Sequence, residues 1–167
     1  AHAKQFHGPE LSFNNLLDVD AAWRTVTDFE EATVAVIKHT NPCGLASHPH
    51  LTEAYNLALA GDPVSAYGGI VGCNRTVTVD VALAMKGTLH HAIVAPGYEP
   101  EALTVLQKRR SLRVLSIKPA PATLDQYDLR SISGGLLLQT RDEITEDPSS
   151  WKTVTNRKTT PQEMESL

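Results

Sequence analysis

Several features that mark specialised proteins are scarce or missing here. The 167 residues include two cysteines, Cys43 and Cys73, too few for a disulfide framework. Aromatic residues number nine, two Trp, four Tyr and three Phe, which disfavours stacked recognition of single-stranded nucleic acid. No run approaches the roughly 18 apolar residues of a membrane span. The first eight residues, AHAKQFHG, contain no apolar core of a signal peptide. There is no excess of positive charge either. Fifteen Lys and Arg against nineteen Asp and Glu give a net charge of −4, whereas a general nucleic-acid binder is usually strongly basic. These absences lead us to expect a cytoplasmic protein with no nucleic-acid partner and no membrane partner. What remains is ordinary, with 41% hydrophobic and 20% charged residues. That is enough for a self-supporting core in a chain of this length.

The hydrophobic pattern alternates between two periods. Leu16–Phe29 has apolar residues at helical spacing, with Asn14 or Asn15 as its expected cap. Thr33–Ile37 is an uncharged, β-branched run, expected to be a strand buried on both faces. Further helices are expected at Leu51–Ala60, stopped by Gly61, at Val79–Leu89, capped by Thr78, and at Pro100–Arg110. Further strands are expected at Ile70–Cys73, Ala92–Ala95, Leu112–Ile117 and Leu129–Gln139, the last broken by Gly134-Gly135. Residues 1–15 read as loop or edge, 118–126 as a Pro- and Ala-rich connection, and 141–167 as polar and weakly ordered, with a helix at the end. Strands alternating with short helices predict an α/β fold with a mostly parallel sheet. The basic stretch 102–124 and the acidic stretch 142–147 read as solvated faces.

Two segments carry candidate chemistry. Lys38-His39 follows the buried strand directly, where an open parallel sheet usually places ligands. Histidine exchanges protons near neutral pH, and lysine can stabilise charge growing on a carbonyl oxygen. Asn41, Pro42 and Gly44 are expected to shape the loop after them, with Pro42 and Gly44 opening a helix whose N-terminus favours an anion. Two ordinary polar residues at a strand exit remain the alternative. The second segment is Asp62–Gly69, DPVSAYGG, where paired glycines allow a flat ligand close to the backbone. A plain structural turn is its alternative. It is neither a dinucleotide fingerprint nor a P-loop. No metal is expected: the zinc-deaminase signature is absent, and His48, His50, His90 and His91 form pairs without partners. A nucleophile elbow is also absent.

Five segments, KQFHGPELSFNNLLDVDAAW, VIKHTNPCGLA, LTEAYNLALAGDPVSAYGGIV, AIVAPGYEPEAL and DLRSISGGLLLQ, resemble in this order the AICAR transformylase (phosphoribosylaminoimidazolecarboxamide formyltransferase) part of the bifunctional transformylase/IMP cyclohydrolase family. The resemblance runs from Lys4 to about Thr155 and covers about half of a transformylase and none of the cyclohydrolase. It implies a cytidine-deaminase-like αβα sandwich, with residues 1–141 as the first of two tandem subdomains and 142–167 as a connector. It implies formyl transfer from 10-formyltetrahydrofolate to the 5-amino group of AICAR, giving FAICAR on the route to IMP. By the match, His39 takes the amine proton and Lys38 stabilises the transition state. Ser65, Tyr67 and Gly68 match a loop against the AICAR base. His91 stands where the family usually has a substrate-holding acid. The resemblance also implies a homodimer with shared sites, and it places most of the folate site and an Arg-Tyr-Gly motif outside these residues. The competing expectation is a non-catalytic fragment that binds nucleotide weakly or only self-associates.

Overall fold

The computed structural model describes residues 3–118, 127–140 and 148–165. Chain contacts divide it into two compact units, Ala1–Pro119 and Ala120–Leu167. In the first unit, the elements are β1 (Ala3–His7), α1 (Phe13–Thr27), β2 (Thr33–Lys38), β3 (Asn41–Ser47), α2 (Leu51–Gly61), β4 (Gly69–Cys73), α3 (Val79–Ala84), β5 (His90–Ala95), α4 (Pro100–Leu106) and β6 (Arg113–Ile117). The second unit holds β7 (Tyr127–Ile132), β8 (Gly135–Thr140), a 3-10 turn at Pro148–Ser150 and α5 (Pro161–Glu165). No helix among the described residues is long and apolar enough to cross a membrane.

The sheet of the first unit runs in the order β1-β6-β5-β4-β2-β3. The β4–β5 and β5–β6 pairs are parallel, and the β1–β6, β2–β4 and β2–β3 pairs are antiparallel. Four of the six strands therefore point the same way, and β1 and β2 oppose them. Strand alternation sorts the core into two layers. Val34, Val36, Val71, Ile93 and Val114 face α2, α3 and α4. Ala35, Ile37, Ile70, Ala92 and Val94 face α1, which packs through Val19, Ala22 and Val26. The unit is thus a three-layer αβα sandwich. Strand β2 is enclosed on both faces, with every residue from Val34 to Ile37 at 0% exposure, and β4 beside it is buried throughout. Removing each of the Val34, Val36 and Ile37 side chains from water contributes roughly 1.5–3 kcal/mol.

Several boundaries differ from the sequence expectation. Helix α1 starts at Phe13, because Ser12 caps it reciprocally with Asn15. Helix α3 ends at Ala84, and the chain turns through Gly87 at φ 93°. Helix α4 ends at Leu106, short of Arg110. The expected last strand is a hairpin, with Gly134 at φ 84° between β7 and β8. Residues 119–126 and 141–147, which include most of the Pro- and Ala-rich connection and the acidic stretch, lie outside the described residues. No helix opens after Gly44. Residues 41–47 instead form the edge strand β3, and α2 begins only at Leu51. Gly44 is needed for packing: a Cβ there would lie 1.8 Å from the Ala58 carbonyl oxygen, so α2 rests directly on its backbone.

One buried polar pair crosses this core. Tyr55 on α2 and His90 at the start of β5 are both 0% exposed, and their Oη and Nε2 atoms are 3.0 Å apart. Burial first, then the nearby Arg109 and His91 charges, push His90 down to about 4 from an ordinary 6.5.

Two outcomes follow from this packing. Gly44→Ala should lower unfolding stability by about 1–3 kcal/mol in urea titration, through the forced shift of α2. An unchanged midpoint contradicts the close approach. For His90, the unfolded chain takes up the proton near pH 6.5 and the folded chain only near 4. Its contribution to stability is therefore complete above pH 6.5 and is lost as pH falls toward 4, on the order of 3 kcal/mol. Urea midpoints measured from pH 7 to 4 should fall less steeply in His90→Gln than in the parent; equal slopes contradict it.

Candidate functional site

Lys38 ends β2, and the next two residues reverse the chain. His39 at φ 58° and Thr40 at φ 60° are the non-glycine residues with positive φ among those described. Lys38 pairs with Asn41 across them. This is a two-residue hairpin turn with both central positions left-handed, a place that usually takes Asn-Gly. A left-handed residue with a Cβ costs roughly 1–2 kcal/mol, and a β-branched threonine is especially unusual there. Local hydrogen bonds hold the turn. The Thr40 hydroxyl donates to the His39 carbonyl at 2.7 Å, and the Asn41 carboxamide donates to the same carbonyl at 2.8 Å. From α1, Asp18 Oδ1 accepts the Thr40 backbone N–H at 2.7 Å.

The second segment is built around Asp62. Its carboxylate accepts the Ser65 backbone N–H at 2.9 Å and the Ser65 hydroxyl at 2.6 Å. These bonds hold the Asp62 carboxyl below the usual range, and the Lys38 charge acts the same way more weakly. Lys38 joins the two segments, its Nζ donating to the Tyr67 carbonyl at 2.8 Å. Tyr67 as a whole is left 60% exposed. Gly68 follows at φ 79°, and its N–H donates to the Leu89 carbonyl at 2.8 Å. The ring of His91 lies beside Gly68, 3.6 Å from where a Cβ would stand. Backbone conformation, not space, therefore calls for glycine at this position.

An open cleft of about 380 Å³ is lined by Lys38, His39, Asn41, Pro42, Cys43, Asp62 and Ser65. The fold thus brings Lys38, His39, Asn41, Pro42 and Ser65 together, with Tyr67 attached through its carbonyl and Gly68 against His91. Gly44 stands one residue beyond the cleft lining and acts through α2 instead. Burial and the Asp62 charge push the Cys43 thiol up, so it stays protonated. A larger cavity of about 480 Å³ lies on the β7–β8 hairpin among Asp128, Leu129, Arg130, Leu137 and Gln139. None of the residues singled out from the sequence is there. Among the described residues, no group of three or more His, Cys, Asp and Glu stands close enough to hold a metal ion.

The site's place in the sheet differs from the sequence expectation. β2 opposes β4 and β5, so its carboxyl end lies at their amino ends. The cleft is therefore not at the carboxyl edge of the parallel strands. Two register breaks stand at the site instead. Cys43 is skipped between the Val36–Gly44 and Ile37–Pro42 pairs, and His91 between the Gly69–His90 and Ile70–Ala92 pairs. Such bulges re-aim side chains. The bulge at His91 leaves that residue exposed while His90 is buried. The sequence reading missed Asp18 and Asp62. The only local signal for Asp62 was its Asp-Pro-x-Ser turn chemistry. Asp18 had none, being a polar residue on a helix 22 positions from its partner.

Comparison with known proteins gives the context. A family model described as the AICARFT/IMPCHase bienzyme matches residues 1–167. The chain is 48% identical over 173 residues to the bifunctional purine biosynthesis protein PurH of Myxococcus xanthus. It is 45% identical over 177 residues to the protein of that name from Dictyostelium discoideum, and 41% identical over 167 residues to that of Enterococcus faecalis. All of this chain is covered in each case, against 33–34% of the relative. The chain therefore spans about a third of the length of the curated relatives it matches. With a family match over its whole length, the chain belongs to the AICARFT/IMPCHase bienzyme family.

Proposed function

We propose that this chain supplies the Lys–His part of a formyltransferase site within a longer purine-biosynthesis enzyme. The reaction moves the formyl group of 10-formyltetrahydrofolate to the 5-amino group of AICAR, giving FAICAR. The observation that carries this reading is the Lys38–Tyr67 bond of 2.8 Å, which makes one cleft of the strand-exit pair and the 62–69 loop.

The chemistry asks for this pairing. An amine conjugated to an imidazole carboxamide is a weak nucleophile and must lose a proton as it attacks. The amine nitrogen bonds to the formyl carbon, and its proton passes to the His39 imidazole. Negative charge builds on the formyl oxygen, where the Lys38 ammonium offsets it. One Lys38 N–H is bonded to the Tyr67 carbonyl, which fixes the ammonium and leaves two N–H groups for the oxygen. As the carbonyl reforms, the bond to N10 of the folate breaks, and that nitrogen takes up the proton from His39. Ser65, Tyr67, Gly68 and His91 form the side that receives the AICAR base. His91, in place of the family's usual acid, offers an imidazole there.

The finer fold assignment, a cytidine-deaminase-like sandwich repeated in a second half, is part of this proposal; the three-layer arrangement of β1–β6 supports it. So are the homodimer with shared sites, the largely external folate site, IMP cyclohydrolase activity in the longer protein and cytoplasmic location. A second reading is favoured by the one-third coverage of the relatives. On it, these residues alone bind nucleotide weakly or only self-associate, and turnover belongs to the longer protein.

The test is steady-state formyl transfer by the longer protein carrying this chain. His39→Ala should reduce kcat by roughly 10²–10⁴. A rate near that of the parent would sink the assignment.

A further inference from the structure

The turn that carries His39 is held from outside its own hairpin by a group with no assigned role. We infer that Asp18 is a positioning residue that keeps His39 in its left-handed, cleft-facing conformation; this rests on the function proposed above.

The inference starts from conformation. His39 and Thr40 both lie in the left-handed region, and neither is glycine. A turn with these residues has an easier alternative, in which Thr40 returns to extended backbone and His39 swings with it. The Thr40 and Asn41 side chains both bond the His39 carbonyl, but they belong to the turn and move with it. Asp18 does not. It sits on α1, whose Val19, Ala22 and Val26 are buried against the sheet layer that contains Ala35 and Ile37 of β2. The helix and the turn are thus both referenced to the same strand. The 2.7 Å bond from the Thr40 N–H to Asp18 Oδ1 closes that frame. It also satisfies a backbone donor at the tip of the turn with a charged acceptor, the stronger kind of hydrogen bond. Asp18 does not line the cleft, so it acts through Thr40 and His39 and not on a substrate.

The experiment uses the longer protein, with hydrogen–deuterium exchange over residues 38–44 and steady-state formyl transfer measured together. Asp18→Ala should speed exchange in 38–44 about tenfold or more and lower kcat roughly 10²-fold, as expected for a displaced catalytic group, with KM for AICAR within about threefold. Asp18→Asn, which keeps an oxygen acceptor, should retain most of both properties. Adding Thr40→Gly to Asp18→Ala should recover most of kcat, since glycine adopts the left-handed region without help. Unchanged exchange in Asp18→Ala overturns the role, and so does faster exchange with kcat intact. If Asp18→Ala loosens the whole chain, Asp18→Asn decides: a loss of kcat as severe as that of His39→Ala overturns the acceptor role. Failure of the formyltransferase reading is seen separately, as turnover retained in His39→Ala.

Discussion

A strand with no exposed side chain from Val34 to Ile37 ends in two consecutive left-handed residues, His39 and Thr40, and this constraint organises the molecule around it. Burial on both faces fixes the register of β2, since a one-residue slip would drive every side chain into the wrong layer. The turn therefore has to fall at His39–Thr40, although neither residue favours it. The cost is offset by bonds from three directions: the turn's own Thr40 and Asn41, Asp18 on α1, and the Lys38 tie to the 62–69 loop. Local conformational strain held by the surrounding packing is a common property of reactive positions. Here it falls on the residue whose chemistry suits proton transfer.

The rest of the fold supplies that hold. Gly44 lets α2 settle directly on β3, which keeps the edge strand against the helix and the hairpin closed. The bulges at Cys43 and His91 stand on β3 and β5, one placing a neutral thiol in the cleft wall and the other leaving an imidazole beside Gly68. The same bulge sends His90 inward to Tyr55, which ties the start of β5 to α2. A single extra residue thus separates a solvent-facing histidine from a buried, uncharged one.

Local patterns in the sequence revealed much of this and missed a definable part. β2, α2, β4 and the start of α4 were legible because their signals are local: β-branched runs, helical spacing, a stop glycine and an early proline. The Lys-His pair was legible from its place after a buried run and from the family resemblance. β3 was not. Pro42 and Gly44 read as breakers, while the true reversal sits on His39-Thr40, which carries none of the Asn-Gly signal of such turns. The reason for Gly44 is a helix that approaches from 14 residues away. The opposite direction of β2 to β4 is a matter of topology, so the side of the sheet that holds the cleft was misjudged. The hairpin at Gly134 was hidden because two short strands and a glycine turn look like one interrupted strand. Asp18 and His90 depend on partners 22 and 35 positions distant, beyond the reach of any local pattern.

The most direct test of the account is a crystal structure of the longer protein with AICAR bound. The account predicts the imidazole carboxamide seated against residues 65–68. Its 5-amino nitrogen should lie about 3 Å from the His39 ring, within hydrogen-bond reach. His39 and Thr40 should remain left-handed. A nucleotide seated away from this cleft, or a His39 ring turned out of reach of the amine in the complex, would contradict it.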